Sequence, residues 1–283
     1  MSRVGIITDS IHGLSPELIE KHDIRFAPMG VIVNNKAYRD TLEITAAQFY
    51  PLFKEARTPS STNAATPGDF LDIYNSLSQR TDSMVYIGVS KALTATFKIA
   101  EQTRAMFLAE HPQVKIELID SQNCEGALGF LVLESARAAE AGKSLSEIRD
   151  LIRDMIPRVK YLSVLDTLRY LIRIGRIPKS AASEEKLRFR PIIGMTDNSG
   201  LMQNFPPAEV EKALENLIDL AEKYIKPGKP VHAIVHHSEY LEEAQELMKL
   251  VEARFKPVEL YITEYSPAAL SSTGLMTGLA FYS

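Results

Sequence analysis

Met84-Val85-Tyr86-Ile87-Gly88-Val89-Ser90-Lys91-Ala92-Leu93-Thr94-Ala95-Thr96 runs from an apolar segment through a hydroxyl-rich loop into a helical pattern. Residues 84–89 read as a buried strand, and residues 95–110 are helical by period. The same rhythm repeats on either side. Residues 4–8 read as another buried strand. Ser15-Pro16 looks like an N-cap followed by proline at the first helical position, opening a helix through Lys21. Residues 24–33 are apolar and extended, with Asn34-Asn35 as a turn. Thr45-Ala46-Ala47-Gln48 is a capping box that starts a helix to about Ala56. Thr66-Pro67 starts another helix. Residues 114–119 read as a strand ending in Asp120-Ser121. Residues 125–141 read as a helix with Gly142 just past its end. Ser144-Leu145-Ser146-Glu147 is a second capping box, and Pro157 ends its helix.

Strand–helix alternation of this kind implies an α/β protein with a parallel sheet and helices on both faces. Ligands on such sheets bind beyond the carboxyl ends of the strands. Asp9-Ser10, Val89-Ser90 and Asp120-Ser121 sit at such ends. A second hydroxyl-rich loop, Thr62-Asn63-Ala64-Ala65-Thr66-Pro67-Gly68-Asp69, is expected at the same edge and also opens into a helix. Helix starts present free N–H groups and the positive end of the macrodipole, which suits a carboxylate or phosphate.

The second half has a different order. Residues 160–165 read as a strand, and Asp166 as the cap of a short helix over 167–174. Residues 189–196 and 200–205 flank a hairpin turn at Asp197-Asn198-Ser199-Gly200. Residues 207–224 read as an amphipathic helix. Residues 231–236, 239–254 and 258–264 then read strand, helix, strand. This second α/β layer places a boundary near Pro157, giving domains over 1–157 and 158–283.

The chain has 283 residues, is 45% hydrophobic and 24% charged, and carries a formal net charge of -4, so it can bury a sizeable core. A mildly acidic chain without basic runs argues against nucleic acid as a partner. The single cysteine, Cys124, excludes an intrachain disulfide and reads as a small buried residue. Met1 leads directly into the first strand with no signal peptide, and no apolar run is long enough to span a bilayer. The expectation is a cytoplasmic protein without membrane insertion.

Candidate chemistry is sparse. No GxGxxG, P-loop, HExxH, CxxC or GxSxG pattern occurs. Asp9-Ser10 and Asp120-Ser121 fit a metal or acid–base site, but equally fit turn caps after strands. His236-His237 would need a third ligand to hold a metal. Arg173 and Arg176 place two cations at a helix end, explained by dipole complementarity or by anion binding. The Thr62 and Thr94 loops fit ordinary N-caps as well as an anion site.

Taken in order, these segments resemble the DegV family of bacterial fatty-acid-binding proteins. The family's opening D-S-T is Asp9-Ser10-Ile11 here. Its T-S-Q-P-S-P-G-D-F loop is Thr62-Asn63-Ala64-Ala65-Thr66-Pro67-Gly68-Asp69-Phe70. Its L-S-G-T-Y segment is Leu93-Thr94-Ala95-Thr96-Phe97, and its I-D-S turn is Ile119-Asp120-Ser121. Its L-x-Y-L-x-x-G-G-R-I is Leu168-Arg169-Tyr170-Leu171-Ile172-Arg173-Ile174-Gly175-Arg176-Ile177, and its R/K-P-I is Arg190-Pro191-Ile192. The resemblance implies two α/β domains. The N-terminal one would be three-layered with a parallel sheet, and the C-terminal one two-layered with a mixed sheet. It implies no catalysis, no cofactor and no metal. One long-chain fatty acid would lie in an apolar tunnel, its carboxylate held by Thr62 and Thr94 with the backbone of Asn63 and Ala95, near Asp9, Ser10, Asp120, Ser121, Arg173 and Ser271. The bound acid would be presented to a separate fatty-acid kinase. The chain departs from the pattern at Asn63 and at Ile174, which replaces the first glycine of G-G-R. The histidine of the C-terminal motif is replaced within Ser271-Ser272-Thr273-Gly274. The basic stretch expected to meet the kinase reads Asn204-Phe205-Pro206-Pro207-Ala208-Glu209. An alternative is a small-molecule enzyme or phosphotransfer subunit on a related fold, like the dihydroxyacetone-kinase substrate subunit, with His236 or His237 holding substrate. A third reading is a carrier of another anionic lipid.

Overall fold

The computed structural model describes residues 3–56, 58–180 and 188–283, so Met1 lies outside the described residues. The first half runs β1 (Gly5–Asp9), α1 (Pro16–Lys21), β2 (Arg25–Ala27), β3 (Gly30–Val33), β4 (Lys36–Arg39), α2 (Ala46–Glu55), β5 (Ser61–Asn63), α3 (Pro67–Ser78), β6 (Ser83–Gly88), α4 (Thr96–Glu110), β7 (Lys115–Asp120), α5 (Glu125–Glu140) and α6 (Leu145–Met155). Four of these strands form a parallel sheet in the order β2-β1-β6-β7. Met84 and Tyr86 face the core under α3 and α4, while Val85 and Ile87 face α5 and α6. Burial on both faces is why β6 reads as an unbroken apolar run. A smaller antiparallel sheet, β4-β3-β5, lies beside it. Asn34 and Asn35, with φ of 50° and 62°, make the β3–β4 turn; Asn tolerates this left-handed backbone better than most residues.

The chain then passes through β8 (Lys160–Leu165), α7 (Arg169–Arg173), β9 (Phe189–Met195), β10 (Gln203–Glu209), α8 (Ala213–Glu222), β11 (His232–His237), α9 (Leu241–Phe255), β12 (Glu259–Glu264), α10 (Pro267–Thr273) and β13 (Met276–Tyr282). The second sheet is mixed, in the order β10-β9-β8-β13-β11-β12, with β11 and β12 parallel and the other pairs antiparallel. One face packs on α8 and α9 through Leu162, Val164, Leu217 and Leu247. The other face packs on α5, which also touches β1 and β6 of the first sheet. Along α5, residues 126–133 are all buried, as a helix between two sheets must be. Helix α10 returns to the small sheet, packing on β3, β5 and α2.

Two expectations fail. Residues 207–224 do not form one helix. Strand β10 continues to Glu209, a 3-10 turn follows at Val210–Lys212, and the helix begins at Ala213. Pro206 and Pro207 are tolerated because β10 is an edge strand whose register shifts between Phe205 and Ala208. Asp166 is not a helix cap. Its carboxylate accepts from Tyr240 Oη at 2.6 Å and Arg190 at 3.4 Å, while Thr167 Oγ1 accepts from Arg169 N in the turn before α7. The Thr62–Asp69 loop does open into a helix, with Thr66 capping α3 through a capping box with Asp69, while Thr62 itself lies on β5.

Candidate functional site

The Thr94 loop is built by residues at the strand ends. Asp9 Oδ2 accepts from Val89 N and from Tyr86 Oη, both at 3.0 Å, while Asp9 Oδ1 is buried without a partner. Burial pushes the Asp9 carboxyl up to about 6 against the pull of these hydrogen bonds. Asp120 Oδ1 accepts from Lys91 N at 3.3 Å and Gln122 N at 3.0 Å. Ser121 Oγ donates to Asn123 O at 3.0 Å and accepts from Asn123 N at 3.1 Å. Ser90 Oγ donates to Gly200 O at 2.7 Å, tying the loop to the β9–β10 turn. Ser10 Oγ donates to Asp40 Oδ2 at 2.6 Å and accepts from Met29 N at 3.1 Å. All four residues act as braces: Asp120 and Ser121 cap their own turn, whereas Asp9 holds the end of β6 and Ser10 holds Met29 and Asp40.

The two threonines differ in how free they are. Thr94 Oγ1 accepts from Thr96 N at 3.1 Å and lies 2.9 Å from Thr96 Oγ1. If Thr96 donates across that contact, both acceptor lone pairs of Thr94 are used and its own O–H points to no protein group. Ala95, the N-cap of α4, supplies no side-chain cap, leaving first-turn N–H groups of α4 for a ligand or solvent. Thr62 is half-buried, sits opposite Val31 in the β3–β5 pair, and its hydroxyl makes no hydrogen bond within the described residues. Asn63 sits opposite Gly30.

The end of α7 joins the two loops. Arg173 Nη2 donates to Ser60 O at 2.9 Å and Ser271 O at 3.4 Å. Ser271 Oγ donates to Ser60 Oγ at 2.9 Å. Arg176 donates to Leu93 O, one residue before Thr94. One short segment thus holds a guanidinium on the Thr62 side and another on the Thr94 side. Arg173 and Ser271 are brought together with the Thr62 strand as expected. The roles of Ser60 and Arg176 escaped the sequence reading. The hydroxyl run Ser60-Ser61-Thr62 and the pairing of Arg173 with Arg176 three residues on were the available signals.

Cys124 and His236, candidates for other chemistry, are closed off. Cys124 is buried, its Sγ donates to Met195 Sδ at 3.4 Å, and burial pushes its thiol well up, away from the thiolate. His236 is 0% exposed. Its Nδ1 lies 2.7 Å from Thr263 Oγ1, which donates to Gly13 O at 3.1 Å, so the ring proton is assigned to Nδ1. Burial lowers His236 to about 3, so the ring is neutral. Among the described residues no group of three or more His, Cys, Asp or Glu side chains could hold a metal ion. No helix among them is long and apolar enough to cross a membrane.

The raised Asp9 carboxyl has a testable consequence. A carboxyl whose folded pKa lies above its unfolded value stabilises the fold fully below the unfolded value, and that stability is lost as pH rises through the folded one. For Asp9 the window runs from 3.8 to about 6. Asp9→Asn keeps the shape of the protonated form but does not titrate. Its stability relative to the wild type should rise by on the order of 2 kcal/mol from pH 4 to pH 7, read by urea unfolding at each pH. A difference that is flat with pH would contradict this burial-driven shift.

Comparison with known proteins places the chain in a family. The DegV family model (uncharacterised protein, DegV family) matches residues 3–283. A DegV domain-containing protein of Lactococcus lactis is 27% identical over 272 residues, covering 95% of this chain and 93% of its own length. The structure of DegV from Bacillus subtilis, described as a fatty acid binding protein, superposes with a TM-score of 0.86 at 24% identity, covering 100% of this chain and 99% of that one. A stearic acid-binding protein from Eubacterium ventriosum superposes with a TM-score of 0.89 at 23% identity, covering 99% and 98%. With a family model spanning all but the first two residues, this chain belongs to the DegV family.

Proposed function

We propose that this protein is a non-enzymatic carrier that holds one long-chain fatty acid, binds its carboxylate at Thr62 and Thr94, and presents that head group to a separate fatty-acid kinase. The observation that carries the reading is the bridge from α7. Arg173 and Arg176 hold the two hydroxyl loops as a pair, and the Thr62 hydroxyl has no protein partner among the described residues. Two hydroxyl donors backed by guanidinium charge suit a carboxylate without burying an unpaired ion. Solved family members of the same whole-chain fold are described as binding fatty acids. Each buried methylene contributes about 0.8 kcal/mol, so a long acyl chain supplies most of the affinity and the head-group site supplies polarity and register.

Kinase presentation carries its own test. The Phe205-Pro206-Pro207 segment lies on an edge strand without a basic side chain, so electrostatic steering toward an acidic partner is weak. The palmitate-loaded protein, given a kinase from a bacterium with a basic segment at this position, should yield little acyl phosphate. Pro207→Arg should raise the rate, more at low salt than at high. Rapid, salt-insensitive phosphorylation of the unmodified protein would show that this strand does not govern docking.

A further inference from the structure

A cavity of about 1000 Å³ is lined by neither Thr62 nor Thr94, although Ser10 and Asp69 line it. It lies where strands of both large sheets end. His12 and Leu14 follow β1, Phe26 lies on β2, His237 ends β11, Ile262 lies on β12 and Glu264 ends it. The crevice beyond the carboxyl ends of strands is where α/β sheets bind ligands. Its volume is in the range of small-molecule sites.

The charged lining is predominantly acidic. Leu14, Ile19, Phe26, Ile73 and Ile262 give it an apolar body. Five carboxylates line it: Glu20, Asp23, Asp69, Asp72 and Glu264, against the two guanidiniums of Arg25 and Arg39. Arg39 is bound to Asp69 at 2.5 Å and Arg25 to Asp23 at 2.8 Å. Glu20, Asp72 and Glu264 have no ion-pair partner among the described residues, so the cavity keeps an excess of negative charge. At its wall stands His237, 6% exposed, with Nδ1 buried and unpartnered. Burial lowers the His237 pKa against the pull of Glu264 and Glu239, so the ring is neutral and able to accept a hydrogen bond.

We propose that this cavity is a second ligand site, distinct from the fatty-acid site, that takes an organic ammonium with an apolar body. The ammonium would lie near Glu264, Asp72 and Glu20 and donate to His237 Nδ1, while the apolar body packs on Leu14, Phe26 and Ile73. An anionic ligand would meet uncompensated carboxylates. A neutral ligand of the same shape would gain only the apolar contact.

The probes are tryptamine, tryptophol and indole-3-acetate, which share one ring and differ in charge. Calorimetry is run on protein saturated with palmitate, so that the acyl-chain site is filled. Tryptamine should bind at one per chain and at least about tenfold more tightly than tryptophol, with indole-3-acetate weakest. Glu264→Gln combined with Asp72→Asn, both at exposed positions, should weaken tryptamine at least about fivefold and leave palmitate affinity unchanged. No saturable tryptamine binding, equal binding of all three probes, or full affinity in the double variant would overturn the proposal. Because palmitate affinity is read separately, failure here is distinguishable from failure of the carrier reading.

Discussion

Replacing both Thr62 and Thr94 with alanine should weaken long-chain fatty-acid binding at least about tenfold by calorimetry, with melting behaviour close to wild type. A hydrogen bond to a charged group is worth on the order of 1.5–3 kcal/mol, and the double variant removes two donors. Thr94→Ala should cost more fold stability than Thr62→Ala, for a structural reason. The Thr62 hydroxyl has no protein partner among the described residues, so Thr62→Ala removes only a ligand contact. Thr94 also accepts from Thr96 N, so Thr94→Ala loosens the start of α4 as well and mixes a small stability loss with the binding loss. Thr94→Ser keeps the hydroxyl and should retain most of the affinity. Unchanged affinity in the double alanine variant, with the fold intact, would remove these residues from the head-group site.

A large effect on stability is expected at Gly126. Helix α5 is wedged between the two large sheets, and Gly126 is its second residue. A Cβ there would come within 2.8 Å of Ala280 Cβ and 2.9 Å of His236 Cε1, and closer still to His236 Nε2. The His236 ring cannot swing aside easily, because Thr263 holds Nδ1 and Tyr265 packs on the ring at a centroid distance of 5.2 Å. Gly126→Ala should therefore cost about 2–4 kcal/mol in urea unfolding, despite alanine's better helix propensity. Gly142→Ala is the control. No atom lies within 4 Å of a Cβ there, so only the φ of +78° is strained, and the loss should stay near 1 kcal/mol. Equal losses at the two sites would mean that α5 is not tightly wedged.

Much of the fold was legible because its signals are local. The caps at Ser15, Thr45, Thr66 and Ser144 each accept from the backbone N–H three residues on. The buried strands β1 and β6 read correctly because both faces are covered. Elements that failed depend on distant partners. Strand β13 lies between β8 and β11, which are far from it in sequence, and nothing near residue 276 marks it. Helix α10 carries the Ser266-Pro267 signature, yet its seven residues leave little periodicity to read. Strand β5 has three residues and exists through its pairing with β3. The threonines were visible as hydroxyl-rich loops. Their relation to each other was not, because it runs through Arg173 and Arg176, about 80 to 110 residues away in the chain.

The most direct measurement is of what the purified protein carries. The protein is extracted with organic solvent and the extract identified by mass spectrometry, before and after incubation with a mixture of fatty acids. The account expects close to one long-chain fatty acid per chain, released by the solvent without any covalent bond. Its amount should be sharply reduced in the Thr62→Ala, Thr94→Ala double variant. A protein that comes out free of lipid and takes up none on incubation, or that yields a non-acidic ligand in stoichiometric amount, would contradict it.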